Sequence, residues 1–183
     1  NRKLMGGLLE GKTILVTGII TDSSIAFSAA AVAQEQGAKV IITGIPERLR
    51  LIDRIAKRLP QEVPPAIPLD VTNEENLGAL ADAVRALAPE GIDGVLHSIA
   101  FAPKTLMGPD AVPFLDGPGP DVAKSFEISA WSYASLARAV LRNGVEYYFA
   151  ADARPQLRAR VEVALDAQPA GPSPTRARLL AEL

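Results

Sequence analysis

Short continuous apolar runs alternate along this chain with longer segments whose apolar positions recur at helical spacing. Lys12 to Thr17 (KTILVT) is the first such run and predicts a buried strand ending at Gly18. The IITDSS stretch that follows predicts a loop in which Ser23 or Ser24 can cap the next element. IAFSAAAVAQEQGA, 25–38, predicts a helix that closes on Gly37. KVIITG, 39–44, is a second strand of the same type. Pro46 opens PERLRLIDRIAKRLP, a helix with Leu49, Ile52, Ile55, Ala56 and Leu59 on one face, stopped by Pro60. AIPLDV, 66–71, predicts a third strand, and 72–88 a helix with Thr72 or Asn73 as its cap and acidic residues in its first turn. GIDGVLHSIA, 91–100, carries a fourth strand around Gly94 to Ile99. Residues 102–120 are rich in proline and glycine and predict a long loop. Pro120 to Leu141 then reads as one long helix with Val122, Phe126, Ile128 and Leu136 among its apolar positions.

The predicted order is β-α-β-α-β-α-β-loop-α. Continuous apolar strands alternating with amphipathic helices imply a parallel sheet covered on both faces by right-handed crossovers. The fold class expected is therefore α/β, a Rossmann-like doubly wound parallel sheet over residues 1–142. After Leu141 the composition turns to Ala, Arg, Leu and Pro. That divides the chain into a 1–142 dinucleotide-binding domain and a divergent 143–183 tail, irregular or helical. In the tail, VEYYFA (145–150) is a candidate strand and 154–167 a candidate helix, followed by a QPAGPSPT linker.

Composition narrows the partners. Of the 183 residues, 48% are hydrophobic and only 5% aromatic, so the core is expected to be aliphatic. A formal net charge of -2 offers no basic excess to attract nucleic acid or an anionic membrane, and neither is expected as a partner. Cysteine is absent and His97 is the sole histidine, which removes thiolate chemistry and any multi-His metal site, so no metal is expected. The N-terminal NRKLMGGLLEGK is too polar for a signal peptide, and no run reaches the ~18 consecutive apolar residues of a membrane helix. A soluble, cytoplasmic protein is the expectation.

In a doubly wound sheet a ligand lies beyond the C-terminal ends of the strands, where the strand order reverses. The first β-α turn is then expected to cradle a pyrophosphate with backbone N–H groups at a helix N-terminus. Here that turn is Gly18 to Ala26 and lacks GxGxxG. Gly18 permits a sharp departure from the strand, Ser24 can offer hydroxyl and amide to a phosphate, and Ala26 is small enough for close helix–strand contact. Equally, Ser24 can simply cap the helix. Gly44-Ile45 follows strand two, where an adenosine ribose is expected to rest. Asp70-Val71 ends strand three, where a carboxylate can accept from an adenine amino group and Val71 can pack on the ring; the alternative is that Asp70 caps the next helix. Ser98-Ile99-Ala100 ends strand four, where small residues let a cofactor approach the backbone. His97, inside a strand, reads as a structural histidine.

GLLEGKTILVTGIITDSSIAFSAAAVAQEQGAKVIITG, PLDVTNEENL, DGVLHSIAFAPKTLMG and ISAWSYASLARAVL together resemble the N-terminal half of the bacterial NADH-dependent enoyl-acyl-carrier-protein reductases, of the actinobacterial and mycobacterial type within the short-chain dehydrogenase/reductase superfamily. The match runs from about Gly7 to Leu141, and GIITDSSIA and HSIAF are its specific blocks. The resemblance implies NADH/NAD as cofactor. It implies that Gly18, Ser24 and Ile25 form the pyrophosphate loop, that Ile45 lies against the adenosine, and that Asp70 and Val71 line the adenine pocket. It further implies that Ile99 and Ala100 lie beside the nicotinamide-side ribose and that Ile128 is an apolar cofactor contact. Phe101 and Met107 match positions near the substrate pocket mouth, and can equally be core residues. The absence of a basic residue directly after Gly44 favours NADH over NADPH, with Arg48 close by.

The family transfers a hydride to the β-carbon of a trans-2-enoyl thioester on acyl carrier protein in fatty acid biosynthesis. A Tyr hydroxyl stabilises the developing enolate and a Lys seven residues later holds the ribose. The last lysine of this sequence is Lys124, ahead of Tyr133, Tyr147 and Tyr148, so no such pair stands in it and no catalytic residue is assigned. The expectation is a truncated reductase with a foreign tail, from a fusion, a frameshift or a misjoined reading frame. The alternative is a non-catalytic NAD(H)-binding fragment. Homo-oligomerisation and acyl chain-length preference are left open.

Overall fold

In the computed structural model, residues 7–149 are described. Four parallel strands form one sheet in the order β3-β2-β1-β4. They are β1 (Thr13–Val16), β2 (Lys39–Gly44), β3 (Ile67–Pro68) and β4 (Gly94–Leu96). β1 is central, with Val16 in register with Ile42 of β2 on one side and Leu96 of β4 on the other. Between them run α1 (Ile25–Glu35), α2 (Leu49–Ala56, entered through a 3-10 turn at Pro46–Arg48) and α3 (Glu74–Leu87). After β4 come α4 (Gly119–Phe126), a π-helical turn (Glu127–Trp131) and α5 (Ser132–Phe149). This is the α/β, Rossmann-like sheet that the apolar pattern predicts. The chain separates into two compact units, Asn1–Ala139 and Val140–Leu183.

The strand order explains which face each helix covers. The chain moves outward from β1 to β2 to β3, so right-handed crossovers put α1 and α2 on one face. It then returns past β1 to β4, which puts α3 on the other. Alternation along the strands matches. Val16, Val40 and Ile42 pack with Ala26, Ala30, Ala33, Ile52, Ile55 and Ala56 in one apolar cluster, while Leu15 and Ile41, both wholly buried, point to the opposite face. Alanine on α1 lets that helix lie close against the strands. Burying each Ile or Leu contributes about 1.5–3 kcal/mol. Gln34, buried in α1, is satisfied by Gln61: each amide donates to the other residue's carbonyl at 3.1 Å, and the Gln61 N–H donates to Gln34 Oε1 at 2.9 Å.

Several expected elements are shorter or differently built. The third strand covers only Ile67–Pro68, because a proline cannot extend the ladder and Asp70 turns the chain locally. The fourth stops at Leu96 rather than Ile99 because its partner β1 ends at Val16. Beyond that register, Thr17 Oγ1 donates to the Leu96 carbonyl at 2.9 Å and accepts from the Ser98 N–H at 3.3 Å. The helix expected over 46–60 is a 3-10 turn and then α2 only as far as Ala56. The single helix expected over 120–141 is interrupted by the π-turn, and Val122 and Phe126, expected to pack, are 48% and 62% exposed. The strand expected at 145–150 is not formed over 145–149, which continue α5. Residue 150 and the helix expected at 154–167 lie outside the described residues. Among the described residues no helix is long and apolar enough to cross a membrane.

Candidate nucleotide-binding crevice

The parallel register brings the C-terminal ends of four strands to one edge of the sheet. Gly18 leaves β1, Ile45 leaves β2, Asp70 follows β3 and Ser98 follows β4. The reversal of strand order lies between β1 and β4, where such sheets open a crevice. At that point the two strand exits all but touch. Gly18 has φ of 89°, and a Cβ built there would stand 1.9 Å from the Ser98 carbonyl oxygen. Only glycine satisfies both the left-handed backbone and the close approach.

Gly18 directs the chain into the turn that starts α1. Ser24 is the α1 N-cap: its Oγ accepts the Phe27 N–H at 3.2 Å and donates to the Thr21 carbonyl at 2.7 Å, and its own N–H donates to Thr21 at 3.2 Å. Ser24 therefore caps α1, and its hydroxyl and N–H both have partners within the loop. Among the described residues the N–H group of Ile25 takes no partner, which leaves a donor at the positive end of the α1 dipole. The Ile25 side chain is 80% exposed and Ala26 is wholly buried. Asp22 in the same loop is ion-paired to Arg58 beyond α2.

On the far side, the Leu69 N–H donates to the Gly44 carbonyl at 2.8 Å and draws the exits of β2 and β3 together. Ile45 beside them is 43% exposed. Asp70 does not cap α3; that role belongs to Asn73, whose Oδ1 accepts from Glu75 and Asn76 at 2.9 and 3.0 Å. Asp70 Oδ1 instead accepts from the N–H and hydroxyl of Thr72 at 2.8 and 2.7 Å. Its Oδ2 has no partner among the described residues. Asp70 and Val71 are both half-buried.

At the β4 exit, Ile99 is half-buried and Ala100 exposed. The next residue, Phe101, is held through its backbone: its N–H donates to Ser129 Oγ at 2.9 Å, and that hydroxyl donates back to the Phe101 carbonyl at 3.0 Å. This brings the residues around Ile128, half-buried in the π-turn, alongside Ala100 and Phe101. The Phe101 side chain is 43% exposed and Met107 is 67% exposed, so neither is a core residue. His97 Nε2 lies 2.7 Å from Ser132 Oγ, and its ring meets Tyr133 edge-on at 5.8 Å. Tyr133 is 65% exposed. Burial holds His97 below its ordinary pKa of 6.5, partly opposed by a backbone hydrogen bond.

Sequence reasoning passed over Thr17, Ser129 and Ser132, which tie β1, β4 and the π-turn together. The available signal was a serine at 125, 129, 132 and 135 along the helix expected over 120–141, where a hydroxyl competes for backbone groups unless it finds a partner.

An enoyl-(acyl carrier protein) reductase family model matches residues 18–147. The chain is 60% identical over 139 residues to the NADH enoyl-[acyl-carrier-protein] reductase of Mycolicibacterium smegmatis, which covers 75% of this chain and 50% of that protein. It is 57% identical over 139 residues to the Mycobacterium avium protein of that name, with the same coverage. Against the Neisseria meningitidis reductase it is 35% identical over 136 residues, 73% of this chain and 49% of the relative. The chain spans about half the length of the curated relatives it matches. On the family model and these identities, it belongs to the enoyl-(acyl carrier protein) reductase family.

Proposed function

We propose that residues 7–142 bind NAD(H) and serve as the cofactor-holding part of an NADH-dependent enoyl-acyl-carrier-protein reductase in fatty acid biosynthesis. The observation that carries this is the meeting of Gly18 and Ser98 at the strand-order reversal, beside the unpartnered Ile25 N–H at the start of α1. The residues fit a dinucleotide. A strand exit bare of a side chain at Gly18 lets the middle of the cofactor approach the backbone, and a backbone donor at a helix N-terminus suits a diphosphate.

In this reading the Ile25 N–H receives the diphosphate beside Ser24, and Gly18 keeps the turn close to the β4 exit. Asp70 Oδ2 accepts from the adenine amino group, with Ile45 and Val71 against the adenosine. Ile99, Ala100 and Ile128 border the nicotinamide half, and Phe101 and Met107 lie toward the substrate. When bound, the cofactor supplies the hydride; the chain orients it and keeps water from its reactive face. The substrate is an enoyl thioester on acyl carrier protein, and the setting is cytoplasmic. The exposed Val122, Phe126 and Trp131 support self-association into a homo-oligomer.

Titrating the full chain with NADH and following nucleotide fluorescence tests the binding reading: saturable binding is expected, and a linear, non-saturating response overturns it. NADH oxidation in the presence of a long-chain enoyl thioester tests turnover. Binding without oxidation would leave a nucleotide-holding module and reject reductase activity for this polypeptide.

A further inference from the structure

The π-turn at Glu127–Trp131 sits between two regular helices with no proline to cause it. In an uninterrupted α-helix the Ser132 N–H would reach the Ile128 carbonyl. Here it is shared between the carbonyls of Ala130 and Glu127, the latter one residue further back. The Ile128 carbonyl is supplied by the Ser132 hydroxyl instead, at 2.5 Å. The same Ser132 Oγ lies 2.7 Å from His97 Nε2, in a hydrogen bond whose donor is set by the imidazole tautomer. The sequence His97 to Ser132 to Ile128 carbonyl thus runs from the exit of β4 into the π-turn. A second tie lies beside it: Ser129 Oγ accepts from and donates to the Phe101 backbone, in the manner of a strand bridge. Two serines on one irregular turn fasten it at two points, His97 and Phe101, which flank Ser98, Ile99 and Ala100.

We propose that Ser129 and Ser132 are positioning residues that clamp the π-turn to the β4 exit and so fix Ile128 and the Ile99–Ala100 backbone at the nicotinamide end of the crevice. The proposal rests on the nucleotide-binding reading above and assigns that site a part not otherwise accounted for. π-turns interrupt helices at a cost in hydrogen-bond geometry and concentrate at functional positions. Here the Ser132 hydroxyl supplies the displaced Ile128 carbonyl, and the Ser129 hydroxyl holds the turn against Phe101.

The test compares the full chain with Ser132→Ala, Ser132→Thr and Ser129→Ala, titrating each with NADH and, separately, with ADP. ADP probes the adenosine and diphosphate end alone. Ser132→Ala and Ser129→Ala are expected to weaken NADH binding about five- to tenfold, on the scale of one lost hydrogen bond. ADP affinity is expected to be unchanged, and Ser132→Thr, which keeps the hydroxyl, to restore NADH binding. The ¹⁵N shifts of the His97 ring are expected to change in Ser132→Ala, which removes the partner of Nε2. NADH affinity that is equal in parent and variants overturns the proposal and leaves the nucleotide reading standing. A parallel fall in NADH and ADP affinity also overturns it, since that marks a general loss of structure. If the parent binds neither nucleotide, the nucleotide reading fails and the clamp's role fails with it.

Discussion

Beneath α1 and α2 the sheet is closed by aliphatic side chains: Val16, Val40, Ile42, Ala26, Ala30 and Ile52 are each 2% exposed or less. From Phe101 to Trp131 the balance is reversed. Val122, Phe126 and Trp131 stand 48%, 62% and 58% exposed; Ser129 Oγ bonds the Phe101 backbone across this segment, and just beyond it Ser132 Oγ meets His97. One region is held by area removed from water, which is non-directional and pools over many residues. The other is held by a few directional bonds, each of which fixes a particular atom. A crevice needs both: a stiff floor and an adjustable rim placed with atomic accuracy.

The widest separation between the two regions is expected from truncating a large side chain in each. Leu15→Ala, at the wholly buried centre of β1, is expected to cost about 3 kcal/mol of unfolding free energy. Phe126→Ala removes a larger side chain from α4 and is expected to change stability by no more than about 0.5 kcal/mol. Urea unfolding midpoints at unchanged slope measure both. Equal losses would show that the α4 face is covered in solution and would remove the distinction.

Gly18→Ala strikes where the two regions meet. The left-handed φ of 89° costs a non-glycine residue about 1–2 kcal/mol, and the new Cβ falls 1.9 Å from a backbone oxygen that cannot rotate away. The expected loss is about 2–3 kcal/mol, together with loss of saturable NADH binding, because the strand exits must part. A variant as stable as the parent would mean that the turn relaxes freely and that the narrow crossing is not a fixed feature of the fold.

The comparison also explains what could be read from the sequence. The runs ILV and VIIT and the spacing of Ile52, Ile55 and Ala56 specify strand and helix faces by period, and the four-strand sheet follows from them with the crossover rule. Gly18 was legible as a turn because a glycine at a strand end has few other uses. The length of the third strand was not, since Pro68 ends the ladder while the surrounding residues stay apolar. Nor was the break in the long helix: the 3.6-residue period passes through Glu127–Trp131 without signalling that Ser132 donates one residue further back than an α-helix allows. Asp70 shows a related limit. Its identity suits a cap or a ligand contact equally, and only the Asn73 bonds to Glu75 and Asn76 show that the capping position lies three residues on.

A smaller effect follows for Asn73→Ala. The Asn73 side chain satisfies two of the first N–H groups of α3, and its loss is expected to cost about 1 kcal/mol. Asn73→Asp is expected to preserve stability, since a carboxylate accepts from the same donors and suits the helix dipole. The Asp70–Thr72 turn lies outside the helix, so NADH affinity is expected to be unchanged in both variants. A fall in affinity without a fall in stability would show that the α3 cap and the β3 exit move together.

The smallest effect expected belongs to the rim and is read by pH. Burial lowers the His97 pKa in the folded chain below its ordinary 6.5. As pH falls below 6.5 the unfolded chain therefore takes up this proton before the folded chain does. The contribution of neutral His97 to stability is complete above that value and is progressively lost on acidification toward the folded pKa. Asp93 responds in a separate window. Its carboxylate, accepting from Lys12 at 2.8 Å and from the Thr13 N–H at 2.8 Å, is held below 3.8, and its contribution is lost only under more acidic conditions. Unfolding free energy measured between pH 7.5 and 5 in the parent and in His97→Gln isolates the histidine term, since every other titrating group is common to both. The parent is expected to lose stability more steeply than His97→Gln over this range. Parallel curves would mean that the imidazole is as free to protonate in the folded chain as in the unfolded one, and that the bond to Ser132 tolerates imidazolium without cost.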